Sequence, residues 1–210
     1  MTETPDALLD GDELRWAYLA AIERGDDQAA DRLGQRIDWL ASQEPDPEAH
    51  LELPGAIGAS ALYYVRHGLP VFPLKPNSKE PLPGSRGFLD ATLNEEQVVR
   101  WWAARPEPNV GVPTGVLFDV VDIDGWEGHL AITVNRVEFP GLLGRVRTVK
   151  NGGWHYLLPP AGRRNTQRML PSVDYRGEGG YVVAPPSRIN GRRYRWVDVP
   201  EFLRVPGGAS

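Results

Sequence analysis

The stretch Val116-Leu117-Phe118-Asp119-Val120-Val121-Asp122-Ile123-Asp124-Gly125 decides the fold class. It is dense in β-branched and aromatic residues and stops at a glycine, so it reads as a strand over residues 116–124. Side chains two apart on a strand share a face, which places the carboxylates of Asp122 and Asp124 on one side and Ile123 on the other. Two neighbouring carboxylates repel unless a cation lies between them. Paired aspartates at a strand end therefore suit a hard dication such as Mg²⁺ or Mn²⁺ held against substrate phosphates. Taken alone, the pair reads more readily as solvated strand-end acids before a glycine turn. An EF-hand is rejected, because Val120 falls where its first oxygen ligand is needed.

Upstream of this strand, residues 56–68 carry apolar side chains at helical spacing and end on Gly68, a natural residue for a helix C-terminus. Residues 69–74 read as a short strand, and the proline-rich segment from Lys75 to Gly87 is a loop long enough for a functional role. Asn94 is expected to cap a helix over Glu95 to Ala104 whose Trp101-Trp102 pair belongs in the core. Downstream, a helix to about Glu138 is followed by expected strands at 145–148, 155–158, 181–184 and 193–196. Helices and strands mix throughout, so the class is α/β or α+β.

Before all of this, apolar residues between Asp12 and Ser42 recur at helical spacing with a break from Glu23 to Asp27, a helical hairpin. Breakers and charge at Glu44 to Glu48 and at Leu53-Pro54-Gly55 mark a linker, with a boundary near Pro54. The expected organisation is an acidic extension, residues 1–54, a main domain, 55–205, and a short tail, 206–210.

The chain has 210 residues, 41% hydrophobic and 24% charged, with seven Trp and no Cys. That composition supports a packed core and excludes disulfide scaffolds, cysteine zinc sites and thiol nucleophiles. No run approaches the ~20 apolar residues of a membrane span, and the acidic start is unlike a secretory signal, so a soluble cytoplasmic protein with no membrane partner is expected. The formal charge of −5 hides two halves. Residues 1–54 hold 14 Asp/Glu against four Arg, a net of −10, and the remainder is net +5, which permits a phosphate-handling surface. The acidic segment would dock a partner or shield the basic body; deleting it raises affinity for a polyanion only in the second case.

Two further segments carry polar chemistry. In Thr148-Val149-Lys150-Asn151-Gly152-Gly153-Trp154-His155, a glycine pair precedes a histidine entering a strand. Glycines allow close backbone approach and the imidazole can donate to phosphate oxygen, although a plain hairpin turn reads equally well. Asp174 stands at a strand end before the glycine-rich turn Gly177 to Gly180. Arg163, Arg164, Arg168, Arg188, Arg192 and Arg193 are a solvated surface or a track for a nucleic-acid backbone.

In order and spacing, these segments resemble the bifunctional DNA primase/polymerase family of the archaeo-eukaryotic primase superfamily. The resemblance runs from about Ala56 to Trp196. It rests on AlaLeuTyrTyrValArgHisGlyLeuProValPheProLeu from Ala61, LysGluPro from Lys79, Ala91-Thr92, Trp101-Trp102, AsnValGlyValProThrGly from Asn109, the Asp122/Asp124 pair, GlyGlyTrpHis from Gly152, and Val173-Asp174 through Pro185-Pro186-Ser187 to GlyArgArgTyrArgTrp from Gly191.

The resemblance implies an α+β primase fold, a small α/β subdomain and an RNA-recognition-like sheet with the active site between them. It implies metal-binding and catalytic roles for Asp122, Asp124 and Asp174, in a two-metal Mg²⁺ or Mn²⁺ site, and a nucleotide-phosphate contact for His155. Lys150, Asn151, Gly152, Gly153 and Arg176 are the accompanying nucleotide-binding candidates, and Arg163, Arg164, Arg188 and Arg192 the DNA-binding ones. The implied activity is primer synthesis and extension on single-stranded DNA from nucleoside triphosphates. Asn151 departs from the small hydroxyl residue common at its position. The chain holds no Walker A sequence, so a separate helicase or replication protein would be a partner. Two other classes fit parts of the sequence: a catalytically inactive single-stranded DNA-binding or replication adaptor module, and a template-independent phosphate-transferring enzyme.

Overall fold

The computed structural model describes residues 17–18, 20–21, 24–43, 57–103, 107–150 and 152–204. The chain divides into two compact units, Met1–Pro45 and Asp46–Ser210. The boundary expected near Pro54, the tail 206–210 and Asn151 lie outside the described residues.

In the first unit, helical residues at 17–18 and 20–21 precede a turn at Arg24-Gly25 and helix α1, Asp27–Gln43. Gly25 takes φ +67°, and the Asp26 carboxylate accepts the Ala29 amide at 3.0 Å. The expected break is thus a left-handed glycine followed by a side-chain cap.

The second unit begins with α2, Ile57–Arg66, whose last carbonyls receive the amides of Gly68 and Leu69, with Gly68 at φ +78°. Strand β1, Phe72–Leu74, is followed by α3, Glu95–Trp102, where the Asn94 side chain accepts the Gln97 amide at 2.8 Å. Then come β2 (Asn109–Pro113), β3 (Asp119–Ile123), α4 (Gly125–Val134), β4 (Gly144–Arg147), β5 (Trp154–Leu158), β6 (Thr166–Leu170), β7 (Val173–Arg176), β8 (Tyr181–Ala184), β9 (Arg188–Ile189), β10 (Arg192–Arg193) and β11 (Arg195–Asp198). Among the described residues no helix is long and apolar enough to cross a membrane.

The strands form a three-stranded sheet, β1-β2-β8, a six-stranded sheet, β11-β4-β5-β3-β7-β6, and the β9–β10 pair, all antiparallel. Every residue of β3 is buried, as a central strand covered on both faces requires. Val120 joins Val146, Leu157 and Trp196 in a core shared with β1, β2, β8, α2 and α3. Val121 and Ile123, on the opposite face, pack with Trp154, Val173, Tyr175 and Ala131 of α4. The α+β class follows from this segregation.

Several limits differ from the sequence expectation. The strand expected over 116–124 is confined to 119–123, because β2 and β3 belong to different sheets and the chain must turn a corner between them. Gly115 makes that corner at φ +89°, packed so closely that a Cβ would lie 2.5 Å from the Glu178 backbone, and Val116 is left 72% exposed. The helix expected to Glu138 stops at Val134, where Asn135 bonds back to Ala131 and Arg136 adopts φ +50°. The last strand, expected at 193–196, is split between β10 and β11 around Tyr194.

On the α4 side of the six-stranded sheet, Asp119 is fully buried, accepting the Ala161 amide at 2.7 Å and the Tyr175 hydroxyl. Burial, with this bond to Asp119, pushes the Tyr175 phenol up to about 12. A phenol whose proton is held more tightly in the folded state stabilises the fold fully below its unfolded value of 10.0, and that contribution disappears as pH rises through 12. Wild type should therefore lose urea resistance between pH 10 and 12 more steeply than Tyr175→Phe, which is less stable at neutral pH but flatter. Parallel curves for the two proteins would refute the assignment.

Candidate active site

Pairing across β3 lines up the polar residues. Asp122 lies opposite His155 of β5 and opposite Asp174 of β7, His155 lies opposite Val146 of β4, and Val146 opposite Trp196 of β11. Directly opposed residues of an antiparallel sheet project to the same face. Asp122, His155 and Asp174 therefore form one row on the face that meets the three-stranded sheet. The row extends into the core through Val146 and Trp196, which anchors it.

His155 is 3% exposed and Asp122 9%. The imidazole Nε2 lies 3.5 Å from Asp122 Oδ1. Burial holds the His155 pKa below its ordinary value, with Asp122 acting in the opposite sense, so the ring is neutral near pH 7. Arg176, two residues beyond Asp174 on the same face, places Nη2 2.6 Å from Asp174 Oδ2 and 3.4 Å from Asp122 Oδ2. Asp174 Oδ1 also accepts the Arg168 amide at 2.7 Å. One guanidinium thus relieves the repulsion between two facing carboxylates.

Asp124 lies beyond the paired residues of β3 and occupies the N-cap position of α4 in extended conformation, its amide bonded to Ser172. Its carboxylate is 2.8 Å from Lys150 Nζ. The acids are therefore matched to two separate cations, Asp122 and Asp174 to Arg176 and Asp124 to Lys150. Gly152 and Gly153 are buried, and their missing side chains are explained by the turn itself: a Cβ would meet Trp126 at 2.9 Å and Thr148 Oγ1 at 2.2 Å. The arginines fall into two groups. Arg163, stacked 4.6 Å over the Tyr175 ring, and Arg164, whose backbone pairs with that of Glu178, follow β5, whereas Arg188 and Arg192 lie on the β9–β10 pair, where Arg192 donates to Val149 O. Trp102 is buried as expected, its indole N–H donating to Pro108 O.

The row opens into a cavity of about 180 Å³ lined by Asp122, His155 and Arg176 together with Lys79, Tyr181 and Tyr194. The last three were not singled out as site residues from sequence; Lys79 and Tyr194 lie in the quoted segments LysGluPro and GlyArgArgTyrArgTrp, but nothing local indicated which way they face. Tyr194 is fully buried with its ring 5.8 Å from that of His155. Burial, reinforced by Asp122 and Asp124, raises the Tyr194 phenol above its ordinary range. Tyr194 Oη, His155 Nδ1 and Asn165 Oδ1 are buried with no hydrogen-bond partner among the described residues, and all three residues line this cavity. A buried polar atom in that condition is costly and calls for a partner that the cavity can admit.

Among the described residues no three His, Cys, Asp or Glu side chains are grouped to hold a metal ion. Asp122 and Asp174 are oxygen donors of the kind a hard dication takes, turned toward one point where the Arg176 guanidinium lies, while Asp124 is paired with Lys150. A family model described as bifunctional DNA primase/polymerase, N-terminal, matches residues 61–208. No curated protein matches the sequence.

Proposed function

The chain belongs to the bifunctional DNA primase/polymerase family, and on that premise we propose that it starts and extends nucleotide chains on single-stranded DNA. The observation that carries this reading is Asp122, on the central strand, which lines the cavity with His155 and Arg176 and lies in register opposite both His155 and Asp174. Asp122, Asp124 and Asp174 would hold Mg²⁺ or Mn²⁺, which when bound activates the attacking 3′-hydroxyl and neutralises charge on the leaving pyrophosphate.

The chain's own groups supply the rest. His155 donates to a phosphate oxygen when its single proton lies on the buried Nδ1, since a neutral ring cannot also donate from Nε2 to Asp122. Arg176 keeps the two carboxylates together in the absence of nucleotide and lines the cavity beside Asp122. Lys150 and the Gly152-Gly153 turn border the Asp124 end of the site, and Asn151 remains a nucleotide-binding candidate from its place in the sequence. Arg163, Arg164, Arg188 and Arg192 serve the template backbone, a contact that weakens as salt rises. The catalytic domain is assigned to residues 55–205, with the acidic residues 1–54 an appended segment.

Incorporation on single-stranded DNA, with and without an annealed primer and in Mg²⁺ or Mn²⁺, tests the reading against an Asp122→Ala/Asp124→Ala control. Product without primer, lost in the control and on adding EDTA, is the expected result. Product only with primer would restrict the activity to extension. Folded protein that binds template in a salt-dependent way but makes no product would replace this reading with that of a DNA-binding module.

A further inference from the structure

Lys79 lies in a tightly tied loop. The Lys75 amide donates to Glu80 O at 2.7 Å, Lys75 Nζ pairs with Glu80 Oε2 at 2.6 Å, and the Glu80 amide donates to Ser78 Oγ at 3.1 Å. The backbone on either side of the Ser78–Lys79 peptide is tethered to the three-stranded sheet. Asn109 Nδ2 of β2 donates to Ser78 O at 3.0 Å, and the Tyr181 hydroxyl of β8 donates to Lys79 O at 3.2 Å. Asn109 is 1% exposed, and the same amide also exchanges hydrogen bonds with Arg188, Nδ2 to its carbonyl at 2.8 Å and its amide to Oδ1 at 2.9 Å. One buried side chain thus secures both the Lys79 loop and the start of β9.

The loop presents a cation to the cavity. Lys79 lines it beside Asp122, His155 and Arg176, and its charge reaches the imidazole, where it opposes protonation. Arg176 and Lys150 are each paired with site acids, whereas Lys79 makes no ion pair among the described residues. A lysine whose backbone is held in place, facing a cavity whose other lining cation, Arg176, is engaged by two carboxylates, is matched by a ligand of dense negative charge. The cavity, about 180 Å³, is smaller than the ~300 Å³ that encloses a drug-sized ligand, so it takes part of a nucleotide, and the cations select the phosphates.

Resting on the reading of the site as a nucleotidyl-transfer centre, we infer that Lys79 binds the polyphosphate tail of the incoming nucleotide, and that Asn109 and Tyr181 are positioning residues that set its loop. Lys79→Ala should weaken equilibrium binding of a nucleoside triphosphate, measured by calorimetry without template, by about 10-fold to 100-fold, the span of one charge-assisted hydrogen bond. It should reduce the preference for triphosphate over monophosphate and raise KM with a smaller change in kcat, and Lys79→Arg should recover most of the loss. Affinity for a labelled single-stranded oligonucleotide should stay unchanged. Asn109→Asp, which removes the donors to Ser78 O and Arg188 O, should act in the same direction and less than additively with Lys79→Ala. Should that variant fail to fold, Tyr181→Phe takes its place, with a smaller loss of triphosphate affinity.

A Lys79→Ala protein that binds triphosphate as well as wild type, or loses oligonucleotide binding instead, overturns the inference while leaving the site reading intact. Wild type that neither binds triphosphate nor incorporates nucleotide overturns the site reading, and the inference with it.

Discussion

Asp122→Ala should abolish the proposed templated nucleotide incorporation, by at least about 10³-fold, the upper range for loss of a single preorganised electrostatic group, and leave the fold standing. The two halves of this outcome come from the same geometry. Asp122 is nearly buried, opposite His155 and opposite another carboxylate, Asp174, so no exposed side chain can substitute for it. Arg176, the cation it would leave behind, keeps its shorter 2.6 Å contact to Asp174, and relief of the carboxylate pair offsets the lost attraction. Thermal unfolding should accordingly shift little, or upward, whereas Asp122→Asn, which keeps the shape and removes the charge, should lose as much activity as alanine. Residual incorporation above one per cent of wild type in either variant would remove Asp122 from the chemistry.

Trp196→Ala is the substitution expected to cost most stability, about 3–5 kcal/mol in urea unfolding. Trp196 is 3% exposed on β11, at the buried end of the row that runs through Val146 to His155 and Asp122. Its indole N–H donates to the Tyr64 hydroxyl at 2.9 Å, which in turn donates to Pro185 O at 2.7 Å, so the ring joins β11, α2 and the segment after β8. Tyr64→Phe keeps the ring and removes this link, at about 1–2 kcal/mol. The two sites touch, so the double variant should lose less than the sum of the single losses. Because Trp196 supports the row from behind, Trp196→Ala should also lower activity below its unfolding midpoint; full activity at full stability would show the core to be independent of the site.

Much of the architecture was readable because its signals are local. The Asn94 cap, the left-handed Gly68 after α2 and the β-branched density of residues 119–123 each act within a few residues. The strands at 154–158 and 181–184 were found for the same reason. By contrast, β6 is an edge strand whose polar residues Thr166, Gln167 and Arg168 precede adjacent Met169 and Leu170, with Arg168 at φ +52° and a register shift, so it carries no period-two pattern. Val116 and Leu117 look like strand residues, but the chain spends them on a corner between two sheets.

The order of residue types along the chain determined the family, the α+β class and the acids worth testing, since the resemblance depends on spacing and the elements on nearest neighbours. Only the tertiary structure decided which of these groups meet. It set Asp122 opposite His155 and Asp174, bridged the two carboxylates with Arg176, gave Asp124 to Lys150, and carried Lys79 to the cavity from a loop more than forty residues before Asp122. Strand register and long-range hydrogen bonds such as Asn109 to Ser78 and Arg188 fix those meetings, and they become definite only when distant segments bury their shared apolar faces.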